Sequence, residues 1–222
     1  MPGAAKSTKE QILLAAERMI ADHGVDGVSM RQIATAIGSG NNSVVLYHFG
    51  SKEKLVEAIF EHRLPRLRER RAELITERAP SDLRGWLECQ IVAVLEQSDL
   101  ADSNYLSFVA SISQHGGAAF KHLPKRFAAG QREYEEHVRS CLADLDEPLR
   151  THRFAQFMEV TVHTAANRER ARARRRSVLP LALEVANLVD CMVGFLAAPV
   201  SPASEAALAS ADGAAFRQTL FV

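Results

Sequence analysis

The sequence predicts an all-α protein, and three observations predict it. Apolar residues make up 47% of the 222 residues but aromatics only 6%, and aromatic and β-branched types are sparse beside Ala, Leu, Glu and Arg, a balance that favours helix over sheet. Apolar positions recur at i, i+3, i+4 and i+7 in one segment after another. Glycine, proline and short runs of Ser, Asn and Asp fall between those segments, where caps and turns belong.

The elements follow in order. Ser7-Thr8-Lys9-Glu10 has the S-x-x-E form in which hydroxyl and carboxylate satisfy each other's orphan amides. It opens a helix with the stripe Ile12, Leu13, Ala16, Met19 and Ile20, which ends at Gly24. Ser29-Met30-Arg31-Gln32 repeats the device as S-x-x-Q and opens a second helix, with Met30, Ile33, Ala34 and Ile37 inward and Gly38 as its stop. Ser39 to Ser43 are all turn- or cap-formers, and Asn41, Asn42 and Ser43 are expected to cap a short helix from Val44 to Phe49. Gly50-Ser51 breaks that helix and starts a long one at Lys52, with Leu55, Val56, Ile59, Phe60, Leu64 and Leu67 inward and an expected kink at Pro65. After the boundary at Pro80-Ser81-Asp82, helices are expected at about 83–96, 103–114, 124–145, 148–176, 180–198 and 203–210. This divides the chain into a three-helix unit at 1–50, a connecting fourth helix at 51–79 and a larger helical unit at 80–222.

Charge and motif content exclude several classes. Lys+Arg equals Asp+Glu at 27 each, so no global basic field draws the chain to polyanions. Residues 1–54 hold six basic and five acidic side chains, so any nucleic-acid grip there needs two copies acting together. Cys89, Cys141 and Cys191 are odd in number and far apart, which suits a reducing compartment. Met1 to Ala5 contain no apolar run, and Leu179–Val200 is interrupted by Glu184, Asn187 and Asp190, so neither a secretory leader nor a membrane span is expected, and a cytoplasmic location is. The sequence has no G-x-S-x-G, HExxH, CxxC or GxGxxG motif, so neither an enzyme nor a cofactor or metal site is expected. His137 and Cys141 are one turn apart but give only two ligands, too few for structural zinc. His152 and His163 are three turns apart.

The stretch from Val28 to Leu55 carries the chemistry. A capped two-turn helix, a polar turn and a second short helix form the arrangement that presents a recognition helix to a DNA major groove. Ser29-Met30-Arg31-Gln32-Ile33-Ala34, then Gly38, then Tyr47-His48-Phe49-Gly50-Ser51-Lys52-Glu53-Lys54-Leu55 resembles the tetracycline-repressor (TetR/AcrR) family over residues 8–60. That family usually reads Leu-Tyr-x-His-Phe; aligned on His48-Phe49, Leu46 takes the tyrosine position and Tyr47 follows it. Asn suits a bidentate pair with adenine, and Arg31 can reach a guanine or a phosphate. Ser29, His48 and Lys52 are placed for contacts to the DNA backbone, so the candidate contacts are Ser29, Arg31, Asn41, Asn42, Ser43, Tyr47, His48 and Lys52. The resemblance implies a dimeric regulator of transcription on a palindromic operator, released by a small-molecule effector. An effector-independent regulator, an activator, or a helical small-molecule-binding protein without DNA activity remain alternatives.

In the larger unit two stripes stand out: Phe154, Phe157, Met158, Thr161, Val162, Ala165, and then Val185, Leu188, Val189, Met192, Val193, Leu196. The later helix also carries Ala182, Ala186, Gly194 and Ala197, and a helix apolar nearly all round must be buried on two sides. Phe154, Val162, Val185, Leu188, Val189, Met192, Val193 and Leu196 are therefore candidates for a homodimer contact, and the resemblance implies a four-helix interface. Candidate pocket residues are Trp86, Tyr105, Phe108, Phe127, Tyr134, Phe157 and Met158, with Gln90, Ser107, Ser111 and Thr161 as polar partners for an apolar or amphipathic ligand. The arginine-rich run from Arg168 to Arg176 reads as a solvated helix end.

Overall fold

Side chains at the helix starts show why the chain breaks where it does. Ser7 Oγ accepts the Glu10 amide at 3.2 Å, Ser51 Oγ the Lys54 amide at 3.3 Å and Asp82 Oδ1 the Gly85 amide at 2.8 Å. At Ser29 the box is complete: its Oγ accepts the Gln32 amide at 3.2 Å, and Gln32 Oε1 accepts the Ser29 amide at 2.7 Å. These caps open α1 (Thr8–His23), α4 (Lys52–Arg78), α5 (Leu83–Ser98) and α2 (Met30–Ala36), with α3 (Val44–Phe49) in between. Then come α6 (Tyr105–His115), α7 (Ala129–Ser140), α8 (Glu147–Ala173), α9 (Leu181–Leu196) and α10 (Pro202–Ser210). This computed structural model describes residues 7–41, 43–101, 103–115 and 129–210, and among the described residues there is no strand. No helix among them is long and apolar enough to cross a membrane.

Two elements differ from expectation. The helix expected to reach residue 145 stops at Ser140, because Ser140 Oγ and Cys141 Sγ both donate to the His137 carbonyl and the chain tightens into i→i−3 turns at Cys141 and Leu142. Its expected start at 124–128 lies outside the described residues. Helix α4 runs as one 27-residue helix, about 40 Å, straight across Pro65.

One core cluster runs through the molecule. Ile12, Ala16 and Ile20 of α1 meet Ile33 of α2, Val45 of α3 and Leu55 and Ile59 of α4, and the same cluster continues through Phe60 and Phe108 to Phe157 and Leu196. Packing therefore crosses the boundary drawn between 50 and 80.

Helix α6 makes that crossing, and polar groups fix both of its sides. Toward α1, the Glu17 carboxylate, 1% exposed, takes a two-pronged bond from Arg63 of α4 at 2.7 and 2.8 Å and the Asn104 amide at 2.9 Å. Ser111 Oγ donates to the Ile20 carbonyl at 3.0 Å. Toward α8, Glu169 Oε2 accepts the Ser107 amide at 2.8 Å and Ser107 Oγ donates to the Ala166 carbonyl at 3.3 Å.

The arginine-rich run is not simply a solvated end. Arg168 is buried and paired: it grips Asp99 with two bonds at 2.7 and 3.0 Å, donates to the Leu179 carbonyl at 2.7 Å and meets Glu184. The carboxylates of Asp99 and Glu184 make its burial tolerable, tying α8 to α9 and to the end of α5. Arg174, Arg175 and Arg176 are exposed as expected.

Two predictions follow from the paired glutamates. Removing Arg63 leaves Glu17 charged and buried, so R63M should lose about 3–5 kcal/mol of unfolding free energy, with part recovered in E17M/R63M. Chemical denaturation reads both, and a loss within error for R63M would show that Glu17 does not depend on it. Glu169 is 4% exposed, and its Oε1 has no hydrogen-bond partner among the described residues. Burial, with a smaller push from Glu17, raises its pKa above the ordinary glutamate range, against the Ser107 and Ser103 hydrogen bonds. The native state then holds a proton that the unfolded chain has released, so stability falls as pH rises from the ordinary glutamate range through the native pKa. E169Q should flatten that fall in melting temperature against pH, and an unchanged slope would acquit Glu169.

Candidate nucleic-acid interface

The turn between α2 and α3 is built by its own polar side chains. Gly38, at φ 71°, lets the chain reverse where a Cβ would strain it. Ser39 Oγ accepts the Asn41 amide at 3.1 Å and donates to the Asn41 carbonyl at 3.2 Å, and Asn41 Oδ1 accepts the Ser43 amide at 2.9 Å. Asn41 is thus a turn-builder with an exposed side chain. Ser43 stands at the N-cap of α3 but makes no side-chain capping bond, contrary to expectation, because its backbone there is already helical. Asn42 lies outside the described residues.

Helix α3 is seated by Val45 and Phe49, both buried, with Lys9 Nζ 5.8 Å over the Phe49 ring. That leaves Tyr47 84% and Leu46 54% exposed, with His48 exposed beside them. Large apolar side chains so displayed mark a contact surface. Arg31 and Ser29 are exposed on α2 and at its cap. Lys52 is half-buried, and its ammonium donates to the Val25 carbonyl at 2.7 Å, clasping the loop between α1 and α2.

The sequence model of the family described as bacterial regulatory proteins, tetR family, matches residues 12–59, from α1 into α4. The N-terminal unit belongs to the tetR family. Two curated relatives of this tetR unit are HTH-type transcriptional repressors. AcnR from Corynebacterium efficiens is 32% identical over 83 residues, 37% of this chain and 42% of that one. NicS from Pseudomonas putida is 38% identical over 58 residues, 26% of this chain and 27% of that one. The chain thus spans less than half the length of these relatives. Outside the tetR unit the likeness is one of fold. A TetR-like transcriptional regulator from Rhodococcus sp. RHA1 superposes with a TM-score of 0.59 at 16% identity, covering 89% of this chain and all of that one.

Behind the tetR unit, α4, α5, α6, α7 and α8 enclose a cavity of about 90 Å³. Of the residues expected there, Gln90, Tyr105 and Met158 line it, and so does Val162, which was expected at a dimer contact. Phe108 and Phe157 fill the solid core instead, and Thr161 and Ser111 spend their hydroxyls on the Phe157 and Ile20 carbonyls. Ser107 is committed to α8, Tyr134 donates to the Trp86 carbonyl at 3.0 Å, and Trp86 stacks on His137 with centroids 4.3 Å apart. Phe127 lies outside the described residues. Sequence reading missed Arg68 and Arg71 of α4 and Gln131 of α7 in this wall. Arg71 had a signal: Phe60, Leu64, Leu67, Arg71 and Leu74 step by four and three along the inward side of α4.

The expected dimer stripes also need correcting. Phe154, Val162, Leu188, Val189, Met192 and Leu196 are buried within the protomer, and Val185 and Val193 are half-buried against the same core. Helix α9 turns that stripe onto α5 and α8 and leaves its other side to solvent, with Leu183 53% exposed and Ala182, Ala186, Cys191, Gly194 and Ala197 open. Among the described residues no group of three or more His, Cys, Asp or Glu is placed to hold a metal.

Proposed function

We propose that this chain is a transcriptional repressor that binds a palindromic operator as a homodimer and leaves it when a small molecule enters the inner cavity. The observation that carries the reading is α3: one and a half turns of helix, anchored by two side chains and presenting Leu46, Tyr47 and His48 to solvent. In this reading Tyr47, His48, Ser29 and Lys52 meet the DNA backbone, and Arg31, with Asn41, Asn42 and Ser43 near the groove floor, reads bases. AcnR and NicS are named as repressors, which supports the sign of regulation.

The coupling route is short. Tyr105, Leu106 and Val109 of α6 line the cavity, while Asn104 and Ser111 bind the same helix to α1. A ligand that shifts α6 therefore shifts the base of the DNA-contact unit directly. Couplings of this kind are typically about 1–3 kcal/mol.

The second copy docks on the outer side of α9, where Leu183 is surrounded by Ala182, Ala186 and Gly194. Small residues let two helix backbones approach closely, and the resulting two-fold sets the paired α3 helices about one DNA turn apart.

Selection from a random DNA pool tests the reading: an enriched palindrome is expected, and a pool that returns none rejects it. On the selected site Y47A should weaken binding about tenfold or more without lowering the melting temperature, since its ring is almost wholly exposed. R31A should cost about 1–3 kcal/mol of discrimination between selected and random DNA. A Cβ at Gly194 meets nothing within 4 Å, so G194R should leave the protomer folded. Light scattering should then report a monomer, and an intact dimer would move the interface elsewhere.

A further inference from the structure

Arginine is an odd residue to find on the inward side of a helix. Arg71 is 8% exposed, in register with Leu67 and Leu74. Its Nη1 donates to Gln90 Oε1 and to Gln131 Oε1, both at 2.9 Å, and its Cζ stands 4.6 Å over the Tyr134 ring. The two amides are neutral, so they orient the guanidinium without cancelling its charge. Arg68 lines the same cavity from the preceding turn position. Burial lowers the pKa of both, and Arg68 adds to the effect on Arg71, against smaller pulls from Tyr134 and Glu133; Tyr105 acts likewise on Arg68. The cavity thus holds two desolvated cations facing a wall that is otherwise Phe60, Leu64, Val94, Val109 and Val162.

That combination selects a ligand class. A cation in an apolar wall favours an anion and repels amines. The planar fork of a guanidinium fits a carboxylate with two parallel bonds. An apolar remainder disfavours a multiply charged phosphate and accepts an alkyl group. Size sets the rest: a cavity of about 150 Å³ holds benzene, so about 90 Å³ holds a molecule of roughly four or five non-hydrogen atoms by the same scale. We propose that this cavity binds a short-chain aliphatic monocarboxylate, its carboxylate on Arg71 and its alkyl part against Val94, Val109 and Val162. The proposal rests on the effector reading above and gives that effector its chemistry.

Calorimetric titration of the full chain at fixed ionic strength tests it, with acetate, propionate, butyrate, hexanoate, propionamide and inorganic phosphate as probes. One of the three shortest acids should bind saturably and most tightly, and propionamide, which lacks the charge, should bind about ten- to a hundred-fold more weakly. R71M, of similar length and apolar, should lose the acid by a similar factor. V109F, which fills the cavity and leaves Arg71 in place, should lose it too, and circular dichroism and melting temperature check that both variants remain folded. Equal binding of acid and amide, tighter binding of phosphate or hexanoate, retention by a folded R71M, or no binding by any acid would each overturn the proposal. The titration contains no DNA, so its failure leaves the operator selection untouched. Conversely, a chain that binds propionate but selects no DNA would refute the repressor reading and keep this one.

Discussion

The Glu17 carboxylate is the point at which three helices are held in one geometry. It belongs to α1, it is closed by Arg63 from α4, and it accepts the first free amide ahead of α6. A carboxylate so buried is tolerable only while all these donors stay in place. The angle between the DNA-contact unit and the rest is therefore set by a charged group with one good arrangement, rather than by apolar contact, which tolerates sliding. Phe60 supports the same joint, with its ring 5.3 Å from Phe108 and 6.2 Å from Tyr105.

Much of the fold was legible because its determinants are local. The hydroxyl of Ser29 and the amide of Gln32 are three residues apart, and the stop at Gly38 needs only its own missing Cβ. The stripe of Ile12, Leu13, Ala16 and Ile20 names its buried side without reference to any partner. The DNA-contact unit inherits this legibility, since Val45 and Phe49 alternate with outward residues on a very short helix and so fix which side chains are displayed.

Longer-range assignments were harder, for identifiable reasons. The Lys52 ammonium ends on the carbonyl of Val25, a residue 27 positions earlier, and nothing in its neighbourhood announces that. Arg168 sits in a run of arginines that looks uniformly solvated, and only the approach of Asp99 and Glu184 singles it out. Helix α9 is apolar or small on two sides, so periodicity could not say which side faces its own core. The larger stripe of Leu188, Met192 and Leu196 turned inward because bulky side chains fill core volume better than Ala and Gly. In the cavity, size alone suggested Phe108 and Phe157 as walls, whereas large rings at full burial are the packing itself. A charge on an inward register, as at Arg71, was the more specific clue.

Trp86 is the single tryptophan of the chain. Its indole lies flat on the His137 ring with planes 7° apart, and its other neighbour, Tyr134, is edge-on at 6.3 Å. That tyrosine is the ring over which Arg71 stands, so the chromophore is two contacts removed from the cavity and touches none of its contents. The molecule thus carries its own optical probe: emission from one site, unmixed with any other, registers movement of the α5–α7 wall without an attached dye.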